Sequence, residues 1–238
     1  MLLHFRCVWL LLLVLAGCTE PTSAPAPSPA PPAPVPTAPA GTVSYLALGD
    51  SYTIGQSVPA TDRWGVQLAQ LAQAEGVQTP DIIAQTGWTT GELQQAIAAA
   101  NVQKTYGLVS LMIGVNNQYR GLPLATYRTE FRQLLQTAIG FAGGRSRRVF
   151  VLSIPDWGQT PVGRSYSQTR ISTEIDQFNA VAREECSRVT VEFVDITDLT
   201  RNTRSDPAQF APDGLHYSGL HMSQWANRAL PVVRLLLK

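Results

Sequence analysis

From residue 43 onward, short and nearly continuous apolar runs alternate with longer stretches in which apolar residues recur every three or four positions. The first pattern suits buried parallel strands and the second suits amphipathic helices. Residues 43–48 predict a first strand. A helix follows over 63–75, with Trp64, Leu68, Leu71 and Ala72 on one stripe. Residues 81–84 read as a short second strand and 91–100 as a helix. Residues 108–113 are apolar without interruption, as a central parallel strand requires. Over 124–141, Tyr127, Phe131, Leu134, Leu135 and Ala138 fall at helical spacing. A strand over 149–154, a helix over 171–189, a strand over 191–194 and a closing helix over 222–237, in spite of Pro231, complete the series. Strands alternating with helices imply a three-layer α/β/α fold around a five-stranded parallel sheet. Ligands of such sheets bind beyond the carboxyl ends of the strands, so functional residues should follow strands.

The first 41 residues break this pattern. His4 and Arg6 precede an apolar run over 8–16, too short to span a bilayer. A polar or basic start, a short apolar core and small residues at the exit describe an export signal over 1–17. The exit, Leu15-Ala16-Gly17-Cys18, resembles the bacterial lipobox. That resemblance implies cleavage before Cys18, a lipid on its sulfur, and acylation of the new N-terminus, with several chains giving stable membrane anchoring. Thr19 follows and no inner-membrane retention aspartate is present, so the expected location is the cell envelope, at an outer membrane where one exists. Residues 18–41 are then a Pro/Ala-rich tether, favouring extended polyproline conformations and able to reach about 70 Å. Residues 42–238 remain as one domain.

Composition narrows the field. A net charge of +1 with no block of like charges gives no electrostatic case for nucleic acid. With Cys7 in the signal and Cys18 lipidated, Cys186 is left alone, which excludes a disulfide within the domain. It falls in a helical pattern with Ile171, Ile175, Phe178 and Ala182 and reads as a small buried side chain.

Polar and glycine positions follow the predicted strands. Gly49-Asp50-Ser51 ends the first, Gly87 follows the second, Gly114-Val115-Asn116 ends the third, and Asp213-Gly214-Leu215-His216 lies between the fifth and the last helix. A serine needs a base to become a useful nucleophile. Beyond the signal the histidines are His216 and His221. Asp213, three residues before His216, could accept its Nδ1 proton across a tight turn and leave Nε2 to take the Ser51 proton. His221 lacks such an acid and reads as structural. Zinc held by Asp213, His216 and His221 matches no common spacing. The Ser51 N–H, Gly87 N–H and Asn116 amide could face an oxyanion. Taken singly, Ser51 could cap a helix, and Gly87, Asn116 and Asp213-Gly214 could be plain turn residues.

These blocks, Leu48-Gly49-Asp50-Ser51-Tyr52-Thr53, Gln85-Thr86-Gly87-Trp88-Thr89-Thr90, Ile113-Gly114-Val115-Asn116-Asn117 and Pro212-Asp213-Gly214-Leu215-His216, resemble the SGNH/GDSL hydrolase superfamily. The resemblance implies a flavodoxin-like sheet and a metal-free, cofactor-free serine esterase. It carries the nucleophile onto Ser51, the base onto His216, its partner onto Asp213, and oxyanion donation onto Ser51, Gly87 and Asn116. Asn117 stands where many members have Asp, which bears on the local support of Asn116. Tyr217 stands where Pro is frequent, which bears on the loop into the last helix.

The resulting expectation is a monomeric carboxylic ester hydrolase working through an acyl-enzyme. The alternatives are a carbohydrate O-acetylesterase acting on envelope glycans and, in another class, a catalytically silent binding lipoprotein. Loops 52–62, 118–122 and 156–167 are expected to line the site. Trp88 and Trp157 are candidate acyl-pocket walls or, equally, packing residues.

Overall fold

The computed structural model describes residues 41–203 and 206–238. The export signal over 1–17, Cys18 and all but the last residue of the 18–41 tether lie outside the described residues. Strands β1 (Tyr45–Asp50), β2 (Asp81–Gln85), β3 (Leu108–Met112), β4 (Val149–Leu152) and β5 (Glu192–Val194) form one sheet in the order β2-β1-β3-β4-β5, every adjacent pair parallel. This is the flavodoxin-like order. Every residue of β1, β3 and β4 is buried, whereas the edge strand β2 is partly exposed.

Helices α1 (Ser51–Ile54), α2 (Trp64–Leu71), α3 (Thr90–Ala100), α4 (Val115–Tyr119), α5 (Leu124–Phe141), α6 (Gln168–Arg188), α7 (Thr197–Arg201) and α8 (Gly219–Leu236) surround the sheet. α2 packs on α8, and α5 packs between α3 and α6. Trp64 meets Phe150 of β4 edge-on, with ring centroids 6.4 Å apart. Each such large apolar side chain contributes about 1.5–3 kcal/mol by leaving water.

Several predicted boundaries shift for local reasons. β1 begins two residues later and runs through Asp50, because Gly49 and Asp50 stay in register with Ala84 and Gln85 of β2. The first long helix is shorter than 63–75: it ends at Leu71, and a 3₁₀ turn follows over Gln73–Glu75. Trp64, Leu68 and Ala72 are buried as the stripe requires, but Leu71, at the helix end, is 38% exposed. β4 stops at Leu152, short of residue 154, after which Ser153 N still donates to Val194 O. α8 starts earlier than residue 222 because Ser218 caps it, its hydroxyl accepting from His221 N at 3.2 Å, and Pro231 lies within it. Cys186 is buried and unpaired.

Candidate active site

The sheet changes winding direction between β1 and β3, and a crevice opens at such a point. Ser51 leaves the end of β1 and Asn116 the end of β3. Asp50 is the N-cap of α1: its Oδ1 accepts from Tyr52 N at 3.0 Å and turns the chain sharply. Ser51, the first residue of α1, therefore has a backbone N–H with no partner inside the helix. The loop before α8 brings His216 over it.

His216 Nε2 lies 2.9 Å from Ser51 Oγ, and His216 Nδ1 lies 2.8 Å from Asp213 Oδ2. The turn that joins Asp213 to His216 is built from the chain itself. Asp213 Oδ1 accepts from Leu215 N and His216 N, both at 2.9 Å. Gly214 supplies the left-handed φ of +68° that the turn needs, and Ala211 N donates to His216 O at 2.8 Å. Burial opposes ionisation of Asp213, but hydrogen bonds from His216 N, Ser57 Oγ, Leu215 N and the His216 ring hold its carboxyl at about 2. At neutral pH the residue paired with His216 is thus an anion. His216 also packs on the Tyr52 ring, centroids 5.1 Å apart.

On the opposite side, Asn116 Nδ2 donates to Trp88 O at 2.9 Å. One amide hydrogen is used there, so the second has a fixed direction. Gly87 adopts φ +84°, and its carbonyl accepts from Arg120 Nη2. Asn117, whose effect on the support of Asn116 was open, is a buried brace: Oδ1 accepts from Thr90 N at 3.0 Å and Nδ2 donates to Thr90 Oγ1 at 2.7 Å. An amide supplies both the acceptor and the donor this brace needs. Thr89 begins α3 with a reciprocal cap, in which Glu92 reaches back to Thr89 N at 2.7 Å.

Ser51, Asn116 and His216 line a cavity of about 150 Å³, with Tyr52, Tyr119 and Trp157 among its walls. Each of the three loops singled out in the sequence supplies one of those walls. Trp157 is therefore a wall, its indole N–H donating to Gln118 Oε1 at 2.7 Å. Trp88 is not among the lining residues and serves through its carbonyl. Gly87 and Asp213 stand outside the lining, Gly87 in the turn before Trp88 and Asp213 behind His216. Val115, Leu215 and Ser57 were not picked out from sequence as site residues. The first two carry no polar signal, and Ser57 is an ordinary loop serine in sequence.

His221 is fully buried, stacked on Tyr217 at 4.5 Å, with Nδ1 3.0 Å from Gln209 Oε1. Burial holds its imidazole down at about 4, so it is neutral. Tyr217, at the position where Pro is frequent in the superfamily, anchors the loop by donating to Asp156 O at 2.8 Å. No group of three or more His, Cys, Asp and Glu side chains is placed to hold a metal among the described residues.

A parallel α/β/α sheet with a serine, a histidine and an aspartate joined at the carboxyl ends of its strands is the framework of a class of ester hydrolases. The GDSL-like Lipase/Acylhydrolase family profile matches residues 47–229, and the chain belongs to that family. It is an ester-hydrolysing enzyme. The fold is similar to that of TesA, at 16% identity and TM-score 0.64, covering 81% of this chain and 99% of that one. It is also similar to a lipase/acylhydrolase from Enterococcus faecalis (22% identity, TM-score 0.59, 82% and 96% covered). A third is Axe2, an acetylxylan esterase from Geobacillus stearothermophilus (18% identity, TM-score 0.63, 82% and 96% covered). No curated protein sequence matches significantly.

Proposed function

We propose that the enzyme hydrolyses short-chain carboxylic esters through an acyl-enzyme on Ser51. The observation that carries this reading is the unbroken hydrogen-bonded chain from Ser51 through His216 to Asp213, at 2.9 and 2.8 Å, beside a small cavity. Ser51 Oγ attacks the ester carbonyl as His216 Nε2 takes its proton. Asp213 holds the ring in the tautomer with Nδ1–H and stabilises the imidazolium that forms. The tetrahedral oxyanion is met by the Ser51 N–H and the second Asn116 amide hydrogen, while the Gly87 N–H, outside the cavity lining, is given this role by the family resemblance alone. His216 then protonates the departing alcohol, and water activated by the same histidine releases the acid.

Cavity size argues for the acyl range. The cavity, about 150 Å³, is below the roughly 300 Å³ at which drug-sized pockets begin. A second reading, a carbohydrate O-acetylesterase, is favoured by one feature. Tyr119 and Tyr166, 56% and 45% exposed, stand edge-on to Trp157 at 5.3 and 5.2 Å, an aromatic rim on which a sugar ring could stack. Axe2, whose fold is similar, is an acetylxylan esterase. We further infer display on the cell envelope, lipid-anchored through Cys18 and held off by the tether. The support is the sequence of residues 1–41.

Hydrolysis of p-nitrophenyl acetate through octanoate, with Ser51→Ala alongside, tests the reading. Turnover should peak at acetate to butyrate and vanish in the variant, and a fluorophosphonate should label only the wild type. Equal turnover in both would remove Ser51 as nucleophile. Absence of both turnover and labelling would instead indicate a silent binding protein. Acetate release from acetylated xylan without turnover of aryl butyrates would favour the second reading.

A further inference from the structure

We propose that Ser57 is a positioning residue for the reaction, clamping Asp213 and tying the nucleophile's turn to the acid's turn; the inference rests on the catalytic reading given above. Ser57 Oγ lies 2.7 Å from Asp213 Oδ2, the same oxygen that faces His216 Nδ1. Beside a carboxylate oxygen the hydroxyl donates. Oδ1 already accepts from Leu215 N and His216 N. Ser57 thus completes a set of four donors around the carboxylate, which cannot turn about its Cβ–Cγ bond without giving up hydrogen bonds at both oxygens. A fixed carboxylate plane fixes the direction in which the His216 ring is held.

The backbone gives the second observation. Ser57 has φ +64°, in the left-handed region that disfavours a serine. A glycine would take this φ without steric cost, and it would have no hydroxyl. The turn that places Ser57 is anchored on the nucleophile itself. Gly55 N and Gln56 N both donate to Ser51 O, the latter at 2.9 Å. The Ser57–Asp213 bond therefore links the loop leaving Ser51 to the loop carrying Asp213, across 156 residues of sequence and without passing through His216. Two sides of a triangle, Ser51 to His216 and His216 to Asp213, are closed by a third. Ser57 does not line the cavity, so its contribution should fall on turnover rather than on substrate binding.

The test uses the full chain with Ser57→Ala, Ser57→Gly, Asp213→Asn, Ser51→Ala and the double variant Ser57→Ala/Asp213→Asn. Expected for both Ser57 variants is a kcat about tenfold lower at unchanged KM and near-unchanged Tm. The glycine variant should be impaired as much as the alanine one, although it relieves the backbone. In the Asp213→Asn background, the rate of fluorophosphonate labelling should change less than about twofold on adding Ser57→Ala, because the clamp then has nothing to hold. Any of three results would overturn the inference while the catalytic reading stands: wild-type kcat in the Ser57 variants, a defect in Ser57→Ala that Ser57→Gly lacks, or losses that multiply in the double variant. Full turnover in Ser51→Ala or Asp213→Asn would overturn the catalytic reading, and this inference with it.

Discussion

Asp213 and Asn116 are held in complementary ways, and each makes a separate prediction. The Asp213 carboxylate is surrounded by donors, which keeps it anionic and oriented. Replacing it with Asn substitutes a donor for an acceptor at Oδ2 or leaves the His216 tautomer unfixed. Asp213→Asn should lower kcat by about 10³–10⁴-fold, with the cavity and KM little changed, as steady-state kinetics would show. Asn116 donates one amide hydrogen to Trp88 O, and the proposed oxyanion role falls to the other. Asn116→Ala should lower kcat by about 10²–10³-fold at near-constant KM. A loss confined to KM would mean that the amide binds the ground-state ester instead.

At the scale of elements, the position of Ser51 depends on how closely β1 approaches β3. A Cβ on Gly49 would lie 2.5 Å from the Met112 carbonyl oxygen and would also collide with Thr53 Oγ1. The first contact is backbone of the adjacent strand and cannot swing away. Gly49→Ala should therefore cost about 2–3 kcal/mol in urea unfolding and displace α1. Gly140 provides the contrast. It lies in α5, and a Cβ there meets nothing within 4 Å. Gly140→Ala should stabilise the protein by about 0.5–1 kcal/mol with activity unchanged.

Over the whole molecule, buried titratable groups oppose one another. His221 has its pKa depressed by burial to about 4, so below 6.5 the unfolded chain binds the extra proton and stability falls as pH drops toward 4. Asp50 has its pKa raised by burial to about 7, so the folded chain keeps a proton the unfolded one releases, and stability falls as pH rises from 3.8 through 7. Between pH 4 and 6.5 the two slopes have opposite sign and partly cancel. His221→Phe, which keeps an aromatic ring against Tyr217 and Trp225, should leave stability falling with rising pH across that window. Asp50→Asn should leave it rising, each by on the order of 3 kcal/mol over the full interval. Below pH 4 the carboxyls of Glu185, held at about 2 chiefly by Arg132 with Arg128 and Arg188, and of Asp213 add a further loss on acidification. Denaturant midpoints measured from pH 2 to 8 on the wild type and both variants check these signs.

The periodicity of apolar residues was enough to set the order of strands and helices, and with it the layers, because a buried strand and a one-sided helix each demand a spacing that survives in one dimension. α5 spans the residues the spacing indicated, Leu124–Phe141. That Ser51, Asp213 and His216 come together was legible for a similar reason: chemistry restricts which residue types are candidates, and parallel topology puts the ends of strands together. Elements of four or five residues, α1, α4 and α7, were not legible, since they span too few turns to show a period. Nor was the division of labour inside the site. Trp88 and Trp157 were equal candidates as walls, and only packing made Trp157 a wall and Trp88 a carbonyl that holds Asn116. Ser57 is one loop serine among several until the left-handed turn after α1 carries it to Asp213. A hydrogen bond between residues 156 positions apart depends on the angle at which two loops leave a sheet, and that angle is set jointly by the contacts that hold both, so no local stretch of sequence encodes it.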